Sequence, residues 1–537
     1  MHHALEIDEI LLNIIAHCNP HFKNYGHGLP LGVGTDLVAL ARTCRMFKEP
    51  ALDVLWWELY DLSPLAQCLP KISYQVFPRF AVGTLCLSSR FINLLSIFYH
   101  TTKCYSFRRP LEEAEWNTLR SYTHRVRSII DFRSAFYFDS VKTFLRPAKL
   151  QSLFPNLRYL RYMFTRASAY LLHQHFPSLI SLDFSFATGG DPSQVQETLE
   201  SFLGLSLNLR KLSIGMLLRE VALDKPVSDF ICRLSNPQTV FCPQVSLDVN
   251  AITHLSRTPG LNQLSFALSV TPSDTLLFST LYELELFSES LVLISDLLDH
   301  IQLPAVTDLA VEISSSPSRQ NLTSFLAALQ QSGVSDSITR LKLDQIHHIP
   351  INLRSVPPIL AANDLRSGMA FRNLRRIDFN CRWNVGLTDT DLLTLVSAWP
   401  HLEHFLINEE LGWLTSGGIT PNGLVRLLQT CPLLSRLSLA IDTRDYTDIP
   451  PARSPASLGL TLPPSFSINV VDSVIDTASV PAMAAFFVNI VLSTQFSLSA
   501  WESWAFPRRS QKVYADRWKD VYVRAGEAVA QRSAVPG

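Results

Sequence analysis

The hexapeptide Leu281-Tyr282-Glu283-Leu284-Glu285-Leu286 has leucine at its first, fourth and sixth positions. Between Glu283 and Leu286 polar and apolar residues alternate, and successive side chains of a strand point to opposite faces. This alternation predicts a short strand whose leucines are buried and whose two glutamates lie on an open face.

The same unit, Leu-x-x-Leu-x-(apolar), recurs along most of the chain. Successive units begin 20 to 36 residues apart, except across one interval of 52 residues, which we interpret as hiding a degraded unit near Val240 to Val249. A period of this size indicates a stack of similar structural units. The units begin at Leu157, Leu179, Leu209, Leu261, Leu281, Val306, Ile338, Leu374, Leu402 and Leu434.

The residues that precede each unit also follow a recurring pattern. A short apolar stretch of helical spacing, such as Leu392 to Trp399, is followed by a proline turn such as Trp399-Pro400-His401-Leu402. Helix, turn and strand in this order resemble a leucine-rich repeat of irregular length. The resemblance implies an α/β solenoid over residues 126–500, with parallel strands on one face and helices on the other. One unit cannot bury its apolar side alone, so the units must stack.

The first sixty residues have a different pattern. Ile7, Ile10, Leu11, Ile14 and Cys18 form one stripe of an amphipathic helix. A second helix is expected after Thr35 or Asp36 and a third with Pro50 in its first turn. Three helices this short cannot bury their apolar faces among themselves. Periodicity alone leaves two interpretations open, a cap that packs on the solenoid or a module that docks on a partner.

The order and spacing of these residues resemble an F-box, in particular the divergent F-box proteins abundant in mushroom-forming fungi. The matching stretches are Ile7 to Leu11, Asp36 to Phe47 and Ala51 to Trp56. Ile7 replaces the usual proline, and the loop after the first helix is longer than typical. The resemblance implies docking on the Skp-type adaptor of a cullin-based ubiquitin ligase. It places eight residues at the adaptor or in the small core beneath it: Ile7, Ile10, Leu11, Ile14, Leu40, Cys44, Leu55 and Trp56.

The sequence therefore predicts an F-box-like module followed by a solenoid. The predicted segments are a docking module over 1–60, a helical junction over 61–125, the solenoid over 126–500, a capping helix over 501–527 and a disordered tail over 528–537. The 47% of apolar residues suffices for a continuous core, and the net charge of -1 lacks the field expected of a nucleic-acid or membrane binder. The nine cysteines include no C-x-x-C pair, and no apolar run could span a membrane, so we expect reduced thiols in a cytoplasmic or nuclear protein.

No catalytic motif is recognisable. The sequence has no G-x-S-x-G, no P-loop and no H-E-x-x-H, and its paired histidines lack further ligands at metal spacing. We expect no cofactor, no metal and no catalytic activity of the chain itself. The expected function is that of a substrate-recognition subunit of an SCF-type ligase. The alternative is a leucine-rich-repeat scaffold that binds partners without a role in ubiquitination.

The residues beside the second leucine of each unit define the open face. Acidic residues there are followed along the chain by basic ones. Two interpretations remain, a solvated surface with chance clustering of charge, or a substrate site whose basic part binds an acidic or phosphorylated segment. The candidate residues are Glu283, Glu285, Asp308, Arg340, Lys342 and Arg376.

Overall fold

A computed structural model of the chain describes most of the residues that the repeats occupy. The described residues are 33–43, 45–59, 63–78, 103–130, 153–164, 176–186, 196, 199–200, 208–216, 221–346, 357–414, 418–444, 460, 463, 465–490, 495–501 and 508–534. The chain divides into two compact units, residues 1–245 and 246–537. Each is considered separately below.

Unit 1 begins, in its described part, with two helices. These are α1 (Val33–Thr43) and α2 (Arg45–Leu55), and Leu37 forms the centre of their shared apolar cluster. We predicted Pro50 in the first turn of its helix, and this prediction is wrong, because α2 begins five residues earlier. A helix that starts at Arg45 brings Phe47 to the Leu37 cluster together with Val54 and Leu55. That packing outweighs the one backbone hydrogen bond that a proline removes.

A parallel sheet follows the two helices in unit 1. Its strands pair in the order β1, β4, β5, β6, β7 and β8. Leu160, Leu182, Leu212 and Val240 are successive partners and all are buried. The strands are β1 (Glu58–Leu59), β4 (Ser128–Ile129), β5 (Tyr159–Phe164), β6 (Ser181–Phe186), β7 (Lys211–Met216) and β8 (Thr239–Ser246). The degraded unit predicted near Val240 is therefore a strand of this sheet.

The segment predicted as a helical junction is helical only in part. It contains the short helix α3 (Ser63–Gln67) and an antiparallel pair of strands, β2 (Tyr74–Pro78) and β3 (Lys103–Phe107). The longer helix of this segment is α4 (Glu113–Thr123). Glu112 and Glu115 form a capping box that satisfies backbone N–H groups at its start.

Unit 2 contains the longer described series of repeats. Its strands are all parallel to their neighbours. They pair in the order β9 (Gln263–Leu268), β11 (Glu283–Ser288), β13 (Asp308–Ile313), β14 (Arg340–Gln345), β16 (Arg376–Asn380), β18 (His404–Ile407), β19 (Arg436–Ser438), β20 (Ser465–Asn469) and β21 (Gln495–Ser499). Two further parallel pairs join β10 (Leu276–Leu277) to β12 (Ile301–Gln302) and β15 (Ile359–Leu360) to β17 (Asn384–Val385).

Helices alternate with the strands of unit 2. The α-helices are α6 (Val249–Ser256), α7 (Leu291–Leu298), α8 (Arg319–Gln331), α9 (Asp389–Ser397), α10 (Pro421–Thr430), α11 (Val480–Ile490) and α12 (Arg508–Ala534). In unit 1, α5 (Asp224–Ile231) lies between β7 and β8. Helix α12 continues to Ala534, past residue 528 where we expected a disordered tail, and alanines in its last turns favour helix.

The repeat leucines of unit 2 form ladders through the core. Leu284 pairs with Leu309, which pairs with Leu341, and the series continues through Ile377 and Phe405. All of these side chains are buried. Each fully buried leucine contributes about 1.5–3 kcal/mol relative to an exposed one. Unit 1 and unit 2 are therefore each an α/β, solenoid-like stack of repeats with a parallel sheet, as the repeats predict.

Candidate protein-interaction surfaces

The open face of the unit 2 sheet brings the predicted charged residues together. The strand register makes Glu283, Asp308, Arg340 and Arg376 successive partners in one row. Glu285 and Lys342 lie in the next row, separated by Ala310. Neighbouring strands are about 4.8 Å apart, so each row is a short line of side chains. The six candidate residues therefore share one surface.

The basic residues of this surface are neutralised within the fold. Arg340 Nη1 lies 3.0 Å from Asp308 Oδ1, and Arg376 Nη2 lies 2.6 Å from Asp378 Oδ2. Lys342 Nζ lies 3.5 Å from Glu312 Oε1 and 3.3 Å from Asp344 Oδ2. Exposed pairs of this kind contribute about 0–1 kcal/mol to stability. Their consequence here is electrostatic, because each predicted basic side chain already has a carboxylate partner.

The acidic residues of this surface are also engaged. Gln263 Nε2 donates to Glu283 Oε2 at 2.6 Å, and Ser265 Oγ donates to Glu285 Oε2 at 2.9 Å. Burial raises the pKa of Glu285, while the Ser265 hydroxyl lowers it and the nearby Glu312 raises it further. Oppositely charged side chains thus interdigitate on this face. The part of the face predicted to be basic thus also carries the carboxylates of Asp344 and Asp378, and its role as a substrate site stays a prediction.

Two positions of the open face are covered toward the end of the sheet. Leu406 and Ser438 occupy the open-face position after the second apolar residue of their repeats, yet they are only 1% and 0% exposed. Burial lowers the pKa of the neighbouring His404, and the positive charges of Arg376 and Arg436 lower it further. His404 is therefore expected to be neutral near neutral pH. The same row continues through Arg436 and Ser467 to Ser497, and Arg436 and Ser497 are exposed, so the face remains partly accessible beyond β16.

The predicted adaptor residues are described only in part. Ile7, Ile10, Leu11, Ile14 and Cys44 lie outside the described residues. Leu40 and Leu55 are half-buried against the Leu37 cluster. Trp56 is buried, and its ring stacks on Tyr122 of α4 with centroids 4.7 Å apart. Trp56 therefore has an intramolecular contact, and its role at the adaptor stays a prediction.

Helix α2 and strand β1 join the helical pair to the sheet of unit 1. The carbonyl of Trp57 accepts hydrogen bonds from the backbone N–H groups of Arg127 at 2.8 Å and Ser128 at 3.0 Å. Arg125 forms ion pairs with both Glu49 and Asp53 of α2. Backbone, ionic and aromatic contacts thus hold α2 against α4 and β4. No local sequence pattern indicates this junction, because its partners lie about seventy residues apart.

One structural residue of unit 2 also escaped sequence analysis. The Asp472 carboxylate accepts hydrogen bonds from the backbone N–H groups of Trp413 at 2.8 Å and Leu414 at 2.7 Å. Leu414 has a φ of 55°, a conformation unfavourable for leucine. Burial raises the pKa of Asp472, and the two N–H groups lower it. The contact spans 58 residues of chain, so no local pattern indicates it.

Two cavities in unit 2 lie within the apolar core. Each has a volume of about 10 Å³ and is lined by apolar side chains such as Leu326 and Phe379 in one and Ile252 and Leu284 in the other. Among the described residues, no three His, Cys, Asp or Glu side chains converge as metal ligands would. Within the same residues, no helix combines the length and the apolar character needed to cross a bilayer.

Five cysteines are free thiols, and three of these are buried: Cys242, Cys381 and Cys431, beside the less buried Cys68 and Cys232. Burial raises the pKa of both Cys431 and Cys68 to about 11, from an ordinary value of 9.0. Since the thiolate is the reactive form, only about one thiol in a thousand is ionised at about pH 8. Iodoacetamide at that pH should therefore alkylate Cys431 about a hundredfold more slowly in the native protein than in guanidinium chloride. Peptide mass spectrometry measures both rates, and equal rates would contradict the buried placement.

The solved structures similar to this chain include one from yeast. No protein-family model and no curated protein matches the sequence. A chain in the crystal structure of the Rad7 and Elc1 complex in yeast is 14% identical, with a TM-score of 0.33. The similarity covers 65% of this chain and 76% of that chain. At this identity and TM-score the likeness carries no argument about function.

Proposed function

We propose that the protein is the substrate-recognition subunit of an SCF-type ubiquitin ligase. The N-terminal helices would dock on a Skp-type adaptor, and through it on a cullin, while the leucine-rich-repeat-like units bind a protein substrate. Ubiquitin transfer would take place on partner subunits, so this chain needs no cofactor and is itself not an enzyme. The observation that carries the proposal is an apolar helical pair fixed to the first strands of a repeat sheet.

The apolar surface of α1 and α2 supports docking. Val38 and Met46 are 42% and 41% exposed, and Leu40 and Leu55 are only half-buried around Leu37. Recognition of a helix by a partner groove uses apolar anchors at helical spacing. The surface also belongs to the segment whose sequence resembles an F-box.

The attachment to the sheet supports a receptor role. The carbonyl of Trp57, the Trp56–Tyr122 stack and the ion pairs of Arg125 connect α2 to β4 and α4. A connection made of several kinds of contact holds two elements in a defined orientation. A ligase receptor needs such a connection, because its substrate must be held at a defined position relative to the adaptor.

Adaptor binding by the purified chain tests the proposal. The double variant Ile10→Asp/Leu11→Asp, and separately Val38→Asp/Met46→Asp, should reduce binding of a recombinant Skp-type adaptor by about a hundredfold or more, since a charge in an apolar interface is strongly unfavourable. Isothermal titration calorimetry measures the affinity.

The matched control for adaptor binding carries the same substitution elsewhere. Val292 and Val474 of unit 2 are similarly exposed, and Val292→Asp/Val474→Asp should leave adaptor binding unchanged. Circular dichroism verifies that each variant is folded. Adaptor binding by both N-terminal variants at the affinity of the unchanged chain would refute the docking assignment.

The second candidate function is a repeat scaffold outside any ubiquitin ligase. The interdigitated charges of the unit 2 face favour specific protein contacts and would serve this function equally well. A chain that captures a protein partner but binds no Skp-type adaptor would support the scaffold.

A further inference from the structure

A row of five residues, three of them arginines, lies at the edge of the unit 1 sheet where the strands begin. Each residue of this row, which we call the entry row, immediately precedes a strand: Trp57, Arg127, Arg158, Ile180 and Arg210. The carbonyl of each accepts hydrogen bonds from the next strand, as in Arg158 N to Arg127 O at 2.8 Å and Arg210 N to Ile180 O at 2.8 Å. The backbone therefore fixes the positions of these residues.

The cations of the entry row are not neutralised in the way that those of unit 2 are. Arg158, Arg210 and the adjacent Lys211 are exposed, and none of them forms an ion pair with a carboxylate among the described residues. Arg161, in contrast, pairs with Asp183 at 2.8 Å. The entry row thus keeps positive charge available to a partner.

Arg127 adds to this charge from a half-buried position. Its Nη1 donates to the carbonyl of His124 at 2.6 Å. Burial lowers the pKa of Arg127, the positive charge of Arg158 lowers it further, and Asp53 partly compensates. Asp53 is itself paired with Arg125. The mutual repulsion of Arg127 and Arg158 would be relieved by a bound anionic group.

The equivalent positions in unit 2 show that this charge is not a property of the repeat itself. There the residues that precede the strands include Tyr282, Thr307 and Thr339. The one arginine in these positions, Arg375, pairs with Glu403 at 2.8 Å. Among the described residues, the accumulation of unpaired arginines at strand starts is confined to unit 1.

The dimensions of the entry row fit a short extended peptide. Three strand steps separate Arg127 from Arg210, a distance of about 14 Å, which roughly four residues of extended chain span. Trp57 at one end and Tyr159 beside Arg158 are 42% and 44% exposed and offer apolar contacts. Cations spread over this distance suit several single carboxylates better than one phosphate group. With a net charge of -1, the protein also lacks the broad positive field that would attract nucleic acid.

We infer that the entry row binds an aspartate- and glutamate-rich segment of a partner protein in extended conformation, with carboxylates at Arg158 and Arg210. The inference rests on the proposed function in one respect, which is that the partner protein is a substrate of the ligase. Peptide binding is measured without the adaptor, so the failure of one proposal is distinguishable from the failure of the other.

A fluorescein-labelled hexaglutamate peptide and the full chain provide the test by fluorescence anisotropy at low salt. Arg158→Glu/Arg210→Glu should weaken peptide binding about tenfold or more, because both attractive charges become repulsive. Raising the salt concentration should weaken binding to the unchanged chain, since exposed charges are screened. Lys512→Glu/Lys519→Glu on α12 changes the net charge equally and should leave binding unchanged.

Three results would overturn the inference. One is equal loss of binding in both double variants, which would reveal a response to net charge alone. The second is no loss in Arg158→Glu/Arg210→Glu. The third is tighter binding of a single-phosphoserine peptide or a DNA oligonucleotide of matched length than of hexaglutamate, which would assign the row to another class of ligand. Both exchanged arginines are exposed, and circular dichroism verifies that the variant is folded.

Discussion

Deletion of residues 440–537 is expected to convert the protein from a stable monomer into an aggregating chain. The deletion removes β20, β21, α11 and α12, and leaves β19 as an unpaired edge. An exposed edge presents free backbone N–H and C=O groups that pair with other chains. Leu437 and the neighbouring apolar residues of its repeat would also become exposed to solvent. Size-exclusion chromatography and thermal melting measure both effects.

The matched control for this deletion ends the chain after Ala534, the last residue of α12. It should remain monomeric with an unchanged melting temperature. If the chain that ends at Leu439 also stays monomeric and melts as the full chain does, the last hundred residues form a separate module. The predicted continuation of the solenoid through β20 would then be energetically unimportant.

A single substitution examines the same cap more finely. Trp518 of α12 is fully buried, contacts Phe487 of α11 edge to face, and donates its Nε1 hydrogen to the carbonyl of Ser473 at 2.8 Å. Trp518→Ala should lower the free energy of unfolding of unit 2 by about 3–5 kcal/mol. Lys519→Ala, at the next and exposed position, should have almost no effect.

The repeat strands were predictable because the information for them is local. Leu284, Leu286 and their equivalents are buried in the repeats whose side chains the structure describes, since burial follows from a period of two residues. Even the degraded unit at Val240 keeps two buried residues at this period, Val240 and Cys242. Strand β20 and helix α11 lie within the segment predicted as the solenoid, and in β20 Phe466 and Ile468 are buried at the same period.

The features that sequence analysis missed depend on distant partners. Strand β1 has only two residues and is recognisable only through its pairing with β4, seventy residues later. The antiparallel pair β2 and β3 lies in a region with no clear period, where we predicted a helical junction. Helix α2 tolerates Pro50 because of a cluster built from two helices. Local patterns carry none of these contacts.

The charge partners on the sheet surfaces were also missed, because they lie at positions that we did not consider. We considered only the residues beside the second leucine of each unit, where Arg340, Lys342 and Arg376 follow a series of acids. Two partners of Lys342, Glu312 and Asp344, lie two residues further along their strands than the positions that we considered. The unpaired arginines lie one residue before those positions, directly after the first leucine in Leu157-Arg158 and Leu209-Arg210. Alignment of these further positions across the repeats would have shown both the carboxylate partners of Lys342 and the unpaired arginines.

The substitution Trp56→Ala is expected to loosen the helical pair from the unit 1 sheet. Trp56 is buried against Tyr122, so its truncation removes packing worth about 3–5 kcal/mol, of which aromatic stacking is about 0.5–1.5 kcal/mol. Hydrogen exchange followed by mass spectrometry should show faster exchange at Arg127 and Ser128, whose amides bond to the carbonyl of Trp57. Trp57→Ala, at the neighbouring exposed position, is the matched control and should change this exchange little.

Tyr122 separates the two roles open to Trp56. If the stack matters, Tyr122→Leu should produce the same local increase in exchange, and the double variant should add little, because both changes break one contact. Adaptor binding should then fall only as far as the module loosens. If Trp56→Ala instead abolishes adaptor binding while exchange at Arg127 and Ser128 stays unchanged, Trp56 contacts the adaptor directly. The F-box-like assignment of this residue would then take precedence over its packing in the free chain.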